Sequence, residues 1–256
     1  GRRVVEGSPT NFARHILLFG DSITFGVGAS QGFTYADWIQ RMRPSDKIYN
    51  FGIGGYAPNF LLYELEARPR RFADIQKRRG FSSYLFIDDH VERVLCRLSC
   101  YHPRRKWLFR PGTRYVFDGN GTLSGPSSFA DRHVPVFLLR ALASSALVEF
   151  FRIDVPYVSD ADLRLFVELM KRIKTITQER YVDGPFYFII YPKKNSIYAE
   201  RLIPLLKEAH FEIIDLRFAP FDKILRGRGR IPVDRHPTPA ASLLLSLYLD
   251  KYFPRP

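Results

Sequence analysis

A serine hydroxyl becomes a useful nucleophile only where a base can take its proton. This chain offers both residue types, far apart: Ser22 follows an apolar run, and His236 lies near the other end, two residues after Asp234. Ile16-Leu17-Leu18-Phe19 reads as a short, fully buried strand that Gly20 ends. Asp21 and Ser22 would then stand at the carboxyl edge of a parallel sheet, where such sheets deliver functional groups. Pro237 biases His236 toward extended backbone, and in an extended segment residues two apart point to the same side. Asp234 can therefore face the imidazole and orient one ring nitrogen, leaving the other to deprotonate serine. Taken alone, Ser22 is equally a turn or cap residue, and Asp234 with His236 a surface ion pair ahead of a helix.

Three blocks in order carry a resemblance. Phe19-Gly20-Asp21-Ser22 resembles the first block of the GDSL/SGNH hydrolases, a family of serine esterases and acyl hydrolases. Asn50-Phe51-Gly52-Ile53-Gly54-Gly55-Tyr56 is similar to the second block, and Asp234-Arg235-His236-Pro237 resembles the last. The set runs from residue 19 to residue 237, nearly the whole chain. It implies a three-layer α/β/α sandwich around a central parallel, flavodoxin-like sheet. It also implies Ser22 as nucleophile, His236 as base and Asp234 as its orienter, with the amides of Ser22 and Gly55 in an oxyanion hole. The family's better-known spacing is Asp-x-x-His; here one residue separates the pair, as in some members.

The third block departs from the family's Gly-x-Asn-Asp. At that place stands Phe86-Ile87-Asp88-Asp89-His90, so Asp88 aligns with the missing asparagine. An ionised carboxylate there would repel an oxyanion, and losing one such donor costs on the order of 10²–10³ in rate. Asp88 is protonated, or His90 or Arg93 supplies the donor, or the site is catalytically poor; His90 is the favoured donor.

The elements needed to position these residues are legible. A helix over 33–42 stopped by Pro44, a strand over 47–51, a long helix over 59–79 kinked or restarted at Pro69, and a strand over 81–87 make an α/β parallel sheet. From 97 to 158 the alternation stops. Short strands at 106–109 and 115–117, the turn Asp118-Gly119-Asn120-Gly121 and an apolar helix over 135–151 make this a hairpin-plus-helix insertion covering the site. It sits within a single domain spanning 1–256. The pattern resumes with a helix over 160–180 capped by Ser159, a strand over 186–191, a helix over 198–209 and a strand over 211–216. Thr238-Pro239 opens the last helix. Residues 1–14 read as a polar, basic arm.

Thirty-nine Lys and Arg against 26 Asp and Glu give a formal charge of +13, which attracts acidic glycans, anionic lipid surfaces or nucleic acid. No nucleic-acid motif accompanies the charge, so no nucleic-acid partner is expected. Arg104, Arg105, Trp107 and Arg110 combine guanidinium groups with an aromatic face, suited to gripping an anionic substrate; a solvated basic face is the alternative. No apolar run reaches the ~18 residues of a membrane span. The chain opens Gly1-Arg2-Arg3 without methionine, so the expectation is that something upstream was cleaved or lies outside this sequence; localisation stays open, exported or membrane-associated if the removed segment was a signal peptide or anchor. Cys96 and Cys100, four apart on a helical stretch, are expected as thiols, or as a pair only if the helix has ended. No Cys/His cluster has structural-zinc spacing, and neither metal nor cofactor is expected.

The expected activity is hydrolysis of carboxylic esters, deacylating a glycan or lipid, plausibly an anionic one, with contact to a membrane surface open. An O-acyltransferase using the same triad, and a catalytically impaired binding module of the same fold, remain the alternatives.

Overall fold

Ile16, Leu17, Leu18 and Phe19 are all 0% exposed. Burying each such side chain is worth about 1.5–3 kcal/mol, and a strand buried on both faces belongs at a sheet's centre. The computed structural model describes residues 2–102, 113–129, 134–192, 196–219, 229–232, 234 and 236–254. The elements begin β1 (Arg14–Phe19), α1 (Ser22–Phe25), α2 (Tyr35–Met42), β2 (Asp46–Asn50), α3 (Pro58–Ala67), β3 (Arg78–Phe86) and α4 (Asp89–Leu95). They continue β4 (Arg114–Phe117), β5 (Leu123–Ser127), α5 (Val136–Ala143), α6 (Ala146–Phe150), α7 (Asp160–Arg180) and β6 (Val182–Asp183). The last are β7 (Phe186–Ile190), α8 (Ala199–Glu208), β8 (Glu212–Asp215) and α9 (Pro239–Leu249).

Two compact units result. The first comprises Gly1–Gly54, Arg70–Ile87 and Lys174–Pro256; the second comprises Gly55–Pro69 and Asp88–Ile173. In the first, a parallel sheet runs β2-β1-β3-β7-β8, with the short β6 pairing with the start of β3. Leaving β6 aside, this is the flavodoxin-like strand order, whose switch point lies beside the first strand. The expected α/β architecture is therefore the observed one.

The two faces of this sheet differ in chemistry. Ile16 and Leu18 of β1 join Phe81, Leu85, Ile189 and Ile214 under Tyr35, Ala36 and Ile39 of α2 and Ala241, Leu245 and Leu249 of α9. On the opposite parity Phe19 stacks on Phe51 at 5.6 Å between centroids, and Phe51 on Phe72 at 4.6 Å. Phe186 and Phe188 meet Phe211 on that face, beneath Lys174 from the last turns of α7. Helices thus lie on both faces, as alternating strand parity requires.

The second unit has its own small core: Cys96, Leu98, Cys100, Tyr101, Phe129 and Ala143. Both cysteines are buried thiols. Asn59 of α3 donates to the Thr113 carbonyl at 2.8 Å, and the Tyr115 hydroxyl donates to Glu66 at 3.2 Å, tying α3 to β4. Asp118 makes the β4–β5 turn, its Oδ1 accepting from the amides of Asn120 and Thr122 at 2.9 Å each. Residues 97–158 fall in this unit; the stretch expected as a strand at 106–109 lies outside the described residues.

Several expectations need correction. The helix expected over 59–79 ends at Ala67; Pro69–Phe72 forms a 3-10 turn, and Arg78 and Arg79 belong to β3, paired with Val182 and Asp183. Proline cannot donate in the helix ladder, and Arg79 pairs with Arg14 of β1 at the start of the sheet strand. The helix expected over 135–151 is two, broken at Ser144–Ser145. The basic arm is anchored: the Arg3 amide donates to the Asn50 carbonyl at 3.2 Å.

His15, at the start of β1, is buried with Nε2 2.8 Å from the Tyr181 carbonyl, to which it donates. Burial pushes its imidazole below the usual range, Arg78 and Lys47 push the same way, and the Tyr181 carbonyl opposes them. The unfolded chain therefore binds a proton here below pH ~6.5 while the folded chain does not. The stability His15 contributes is whole above that pH and falls as pH drops through it, by up to about 1.4 kcal/mol per pH unit. Urea unfolding at pH 7.5 and 5.5 should show this loss, and His15→Gln should flatten it. An unchanged slope in the variant would exclude His15 as its source.

Candidate functional site

Ser22 sits where β1 ends. Asp21 caps the short helix α1, its Oδ1 accepting from the Ile23 amide at 3.0 Å, so Ser22 is the first helical residue and is half-buried. Thr24 of α1 turns its hydroxyl back to the Phe19 carbonyl at 3.3 Å. The helix closes at Gly26, whose amide donates to the Ser22 carbonyl at 3.0 Å.

The second block holds this turn in place. Asn50, fully buried at the end of β2, donates from Nδ2 to the Thr24 carbonyl at 2.8 Å and accepts at Oδ1 from the Gly52 amide at 3.0 Å. A Cβ on Gly52 would stand 2.2 Å from the Phe25 amide nitrogen, so only glycine lets the two backbones approach. The Ile53 amide donates to the Gly20 carbonyl at 3.2 Å, and a Cβ on Gly54 would lie 3.9 Å from Ser22 Cβ. Arg3 closes the far side, donating to the carbonyls of Phe25, Gly26 and Ala29 at 3.1, 2.8 and 2.8 Å.

The third component is a hairpin ahead of α9. Arg230 pairs antiparallel with Pro237, the Ile231 amide donates to the His236 carbonyl at 2.9 Å, and the Thr238 amide to the Gly229 carbonyl at 2.9 Å. Asp234 stands at its turn. Its Oδ1 accepts from the His236 amide at 3.0 Å, and its Oδ2 lies 3.2 Å from His236 Nδ1, an ion-pair distance off the hydrogen-bond axis. The His236 amide, with the imidazole adding to it, holds the Asp234 carboxyl below its usual range. Thr238 then caps α9, accepting from the Ala241 amide at 3.3 Å.

Gly28 joins the first component to the third. The Val27 amide donates to the Ser22 carbonyl at 2.9 Å, and a Cβ on Gly28 would lie 3.6 Å from His236 Cβ. The loop that closes on Ser22 thus abuts the histidine, although among the described residues no hydrogen bond joins Ser22 Oγ to the ring. Such bonds are often long before substrate arrives. At the end of β7, burial pushes the Tyr191 phenol up to about 12, with Arg230 opposing and Asp21 adding to the rise. Tyr191, Arg3 and the two hydrogen bonds of the Asn50 side chain escaped the sequence reading. Asn50 was visible in the second block beside its glycines, whereas nothing in the sequence distinguishes Arg3 from its basic neighbours.

The remaining predicted residues lie in the second unit or outside the description. Gly55 opens that unit with φ +78°, and Asp88 and His90 are buried at the first turn of α4. Arg93 of α4 donates to the Tyr56 carbonyl at 3.2 Å and pairs with Asp89 at 3.4 Å. Arg104, Arg105, Trp107 and Arg110 lie outside the described residues. No group of three or more His, Cys, Asp and Glu is placed to hold a metal ion among the described residues.

Neither a family model nor a curated protein matches this sequence. Solved structures do match it. A lipolytic protein of the G-D-S-L family from Veillonella parvula aligns at 12% identity over 95% of this chain and 100% of its own, with a TM-score of 0.55. A Bacillus subtilis protein aligns at 12% identity over 95% of this chain and 56% of its own, with a TM-score of 0.50. The acetylxylan esterase Axe2 from Geobacillus stearothermophilus aligns at 14% identity over 94% of each chain, with a TM-score of 0.49. At these identities the likeness to the first two is one of fold.

Truncating Asn50 should strand two buried backbone groups, the Thr24 carbonyl and the Gly52 amide, each costing about 1–3 kcal/mol. Asn50→Ala is therefore expected to lower unfolding free energy by roughly 2–6 kcal/mol. Denaturant titration measures this; a loss under about 1 kcal/mol would mean the two loops hold each other without the side chain.

Proposed function

From a chain with the fold of the G-D-S-L, or SGNH, hydrolases, we propose that this protein is a serine-dependent hydrolase of carboxylic esters. The observation that carries the reading is the Asp234–His236 pair, at 3.2 Å, on a hairpin that abuts the loop closing on Ser22. In the proposed reaction the ring nitrogen remote from Asp234, Nε2, takes the Ser22 proton as Oγ attacks the ester carbonyl carbon. The tetrahedral intermediate collapses, the C–O bond breaks, and the alcohol leaves with the proton from the imidazolium. Water, deprotonated by the same ring, then releases the acid and restores Ser22. The ionised Asp234 favours the imidazolium that forms between these steps.

On the resemblance alone, the amides of Ser22 and Gly55 and the His90 side chain are the proposed oxyanion donors. Residues 97–158, with Arg104, Arg105, Trp107 and Arg110, are proposed to select an acylated glycan or lipid. The formal charge of +13 favours an anionic one. Asp88 in place of the family's asparagine is the specific observation favouring the second reading, a binding module of weakened catalysis.

A fluorophosphonate label separates the two. Intact protein should gain one adduct, mapping to Ser22, and Ser22→Ala should abolish both labelling and turnover of short p-nitrophenyl esters. The expected loss is on the order of 10⁴ or more, matched by His236→Ala, because such residues act as a unit. Asp234→Asn should lose less. An unlabelled wild-type protein would leave the binding module; a label on another serine would displace Ser22.

A further inference from the structure

Helices α5 and α6 spend only one side each on the second unit's core. Val136, Leu139 and Val148 pack, with Ala143, against the cluster around Cys96 and Tyr101. The other side of α5 presents Phe137, Leu138 and Leu142, and α6 with the residue after it presents Leu147, Phe150 and Phe151. These are not marginal exposures: Phe137 and Leu147 are 68% exposed, Phe150 78% and Phe151 65%. From Val134 to Tyr157 the only charged residues are Arg140, Glu149, Arg152 and Asp154. A run of large apolar side chains left in water at this density marks a surface that is covered in use.

Charge decides what covers it. Each chain carries a formal +13, so a second copy brought to this face meets like charge. Residues 97–158 alone hold nine Lys and Arg against four Asp and Glu, an excess complementary to an anionic surface. Arg140 and Arg152, both exposed, stand among the apolar side chains themselves, together with the exposed Glu149, so the attraction to an acidic surface comes from the net charge of the segment and the chain. Phenylalanine and leucine on one side of short helices, with arginine interleaved, match the chemistry of a bilayer interface bearing acidic headgroups. Among the described residues no helix is long and apolar enough to cross a membrane, so this face would lie on the bilayer. We infer that the exposed face of α5 and α6 is a membrane-docking surface that seats its phenylalanines at the interface of a bilayer containing anionic phospholipid.

Vesicle sedimentation tests the inference with the whole chain. Vesicles of phosphatidylcholine with phosphatidylglycerol should bind the protein at least tenfold more tightly than phosphatidylcholine alone. The triple variant Phe137→Ser, Phe150→Ser, Phe151→Ser should lose at least tenfold of that binding, with thermal unfolding unchanged. A single Phe150→Trp, which keeps the apolar face, should gain blue-shifted emission on the anionic vesicles over the background of Trp38 and Trp107. Three results would overturn it: no binding by the wild-type protein, binding indifferent to the triple variant, or equal binding to neutral vesicles. A concentration-dependent dimer abolished by the triple variant, without vesicle binding, would assign the face to a second copy instead. None of these outcomes depends on Ser22, so the inference and the proposed hydrolase stand or fall separately.

Discussion

The Asn50 side chain is the constraint on which the geometry around Ser22 depends. It holds a carbonyl of one loop and an amide of another, at 2.8 and 3.0 Å, where no water reaches. Its two ends leave no freedom in the assignment: the end facing Thr24 must donate and the end facing Gly52 must accept. The consequence is directional. α1 is only four residues long and makes too few hydrogen bonds of its own to persist. It persists because Asp21 caps its beginning, Asn50 grips its third residue, and Arg3 gathers the carbonyls at its end. A serine on a free four-residue turn would sample many positions; here three side chains from three segments fix it.

Legibility in the sequence followed the range of the forces involved. The sheet could be read because burial on both faces demands continuous apolar runs, and Ile16 to Phe19 or Phe186 to Ile190 leave no alternative. Caps could be read because they are local: Ser159 accepts from the Asp162 amide at 3.2 Å and Thr238 from that of Ala241, as their spacing suggests. What escaped depends on pairing across distance. β6 has two residues and exists only because Arg78 and Arg79 offer an edge more than a hundred residues earlier. Arg3 acquires meaning only once β2 supplies the Asn50 carbonyl beside it. The break at Ser144–Ser145 was in view, but an apolar stretch on both sides outweighed two residues of modest helix propensity.

The bare face of α5 and α6 was not legible for a related reason. An apolar helix in a sequence suggests burial, because burial is the usual fate of such residues. The packing side of α5 needs only Val136, Leu139 and Ala143 to meet the small core. The residues between them are apolar without being structural, and periodicity alone does not distinguish a side that is packed from one that is bare.

The shortened spacing of the last block also has a physical reading. With one residue between Asp234 and His236, the carboxylate can reach both the backbone amide and the ring of the same histidine, and it does. The amide is the stronger hold on it, as the cause of its lowered pKa indicates. That bond does not change when the imidazole gains or loses a proton, so the carboxylate keeps its place throughout. Asp234 is also the more exposed partner, so water screens its charge and limits what it adds by attraction alone. What the structure shows is geometric: His236 Nδ1 lies 3.2 Å from the carboxylate that the histidine's own amide holds. A pair built this way trades electrostatic strength for a backbone-anchored orientation, which suits a hairpin whose own hydrogen bonds, from Ile231 to His236 and from Thr238 to Gly229, already hold the histidine backbone.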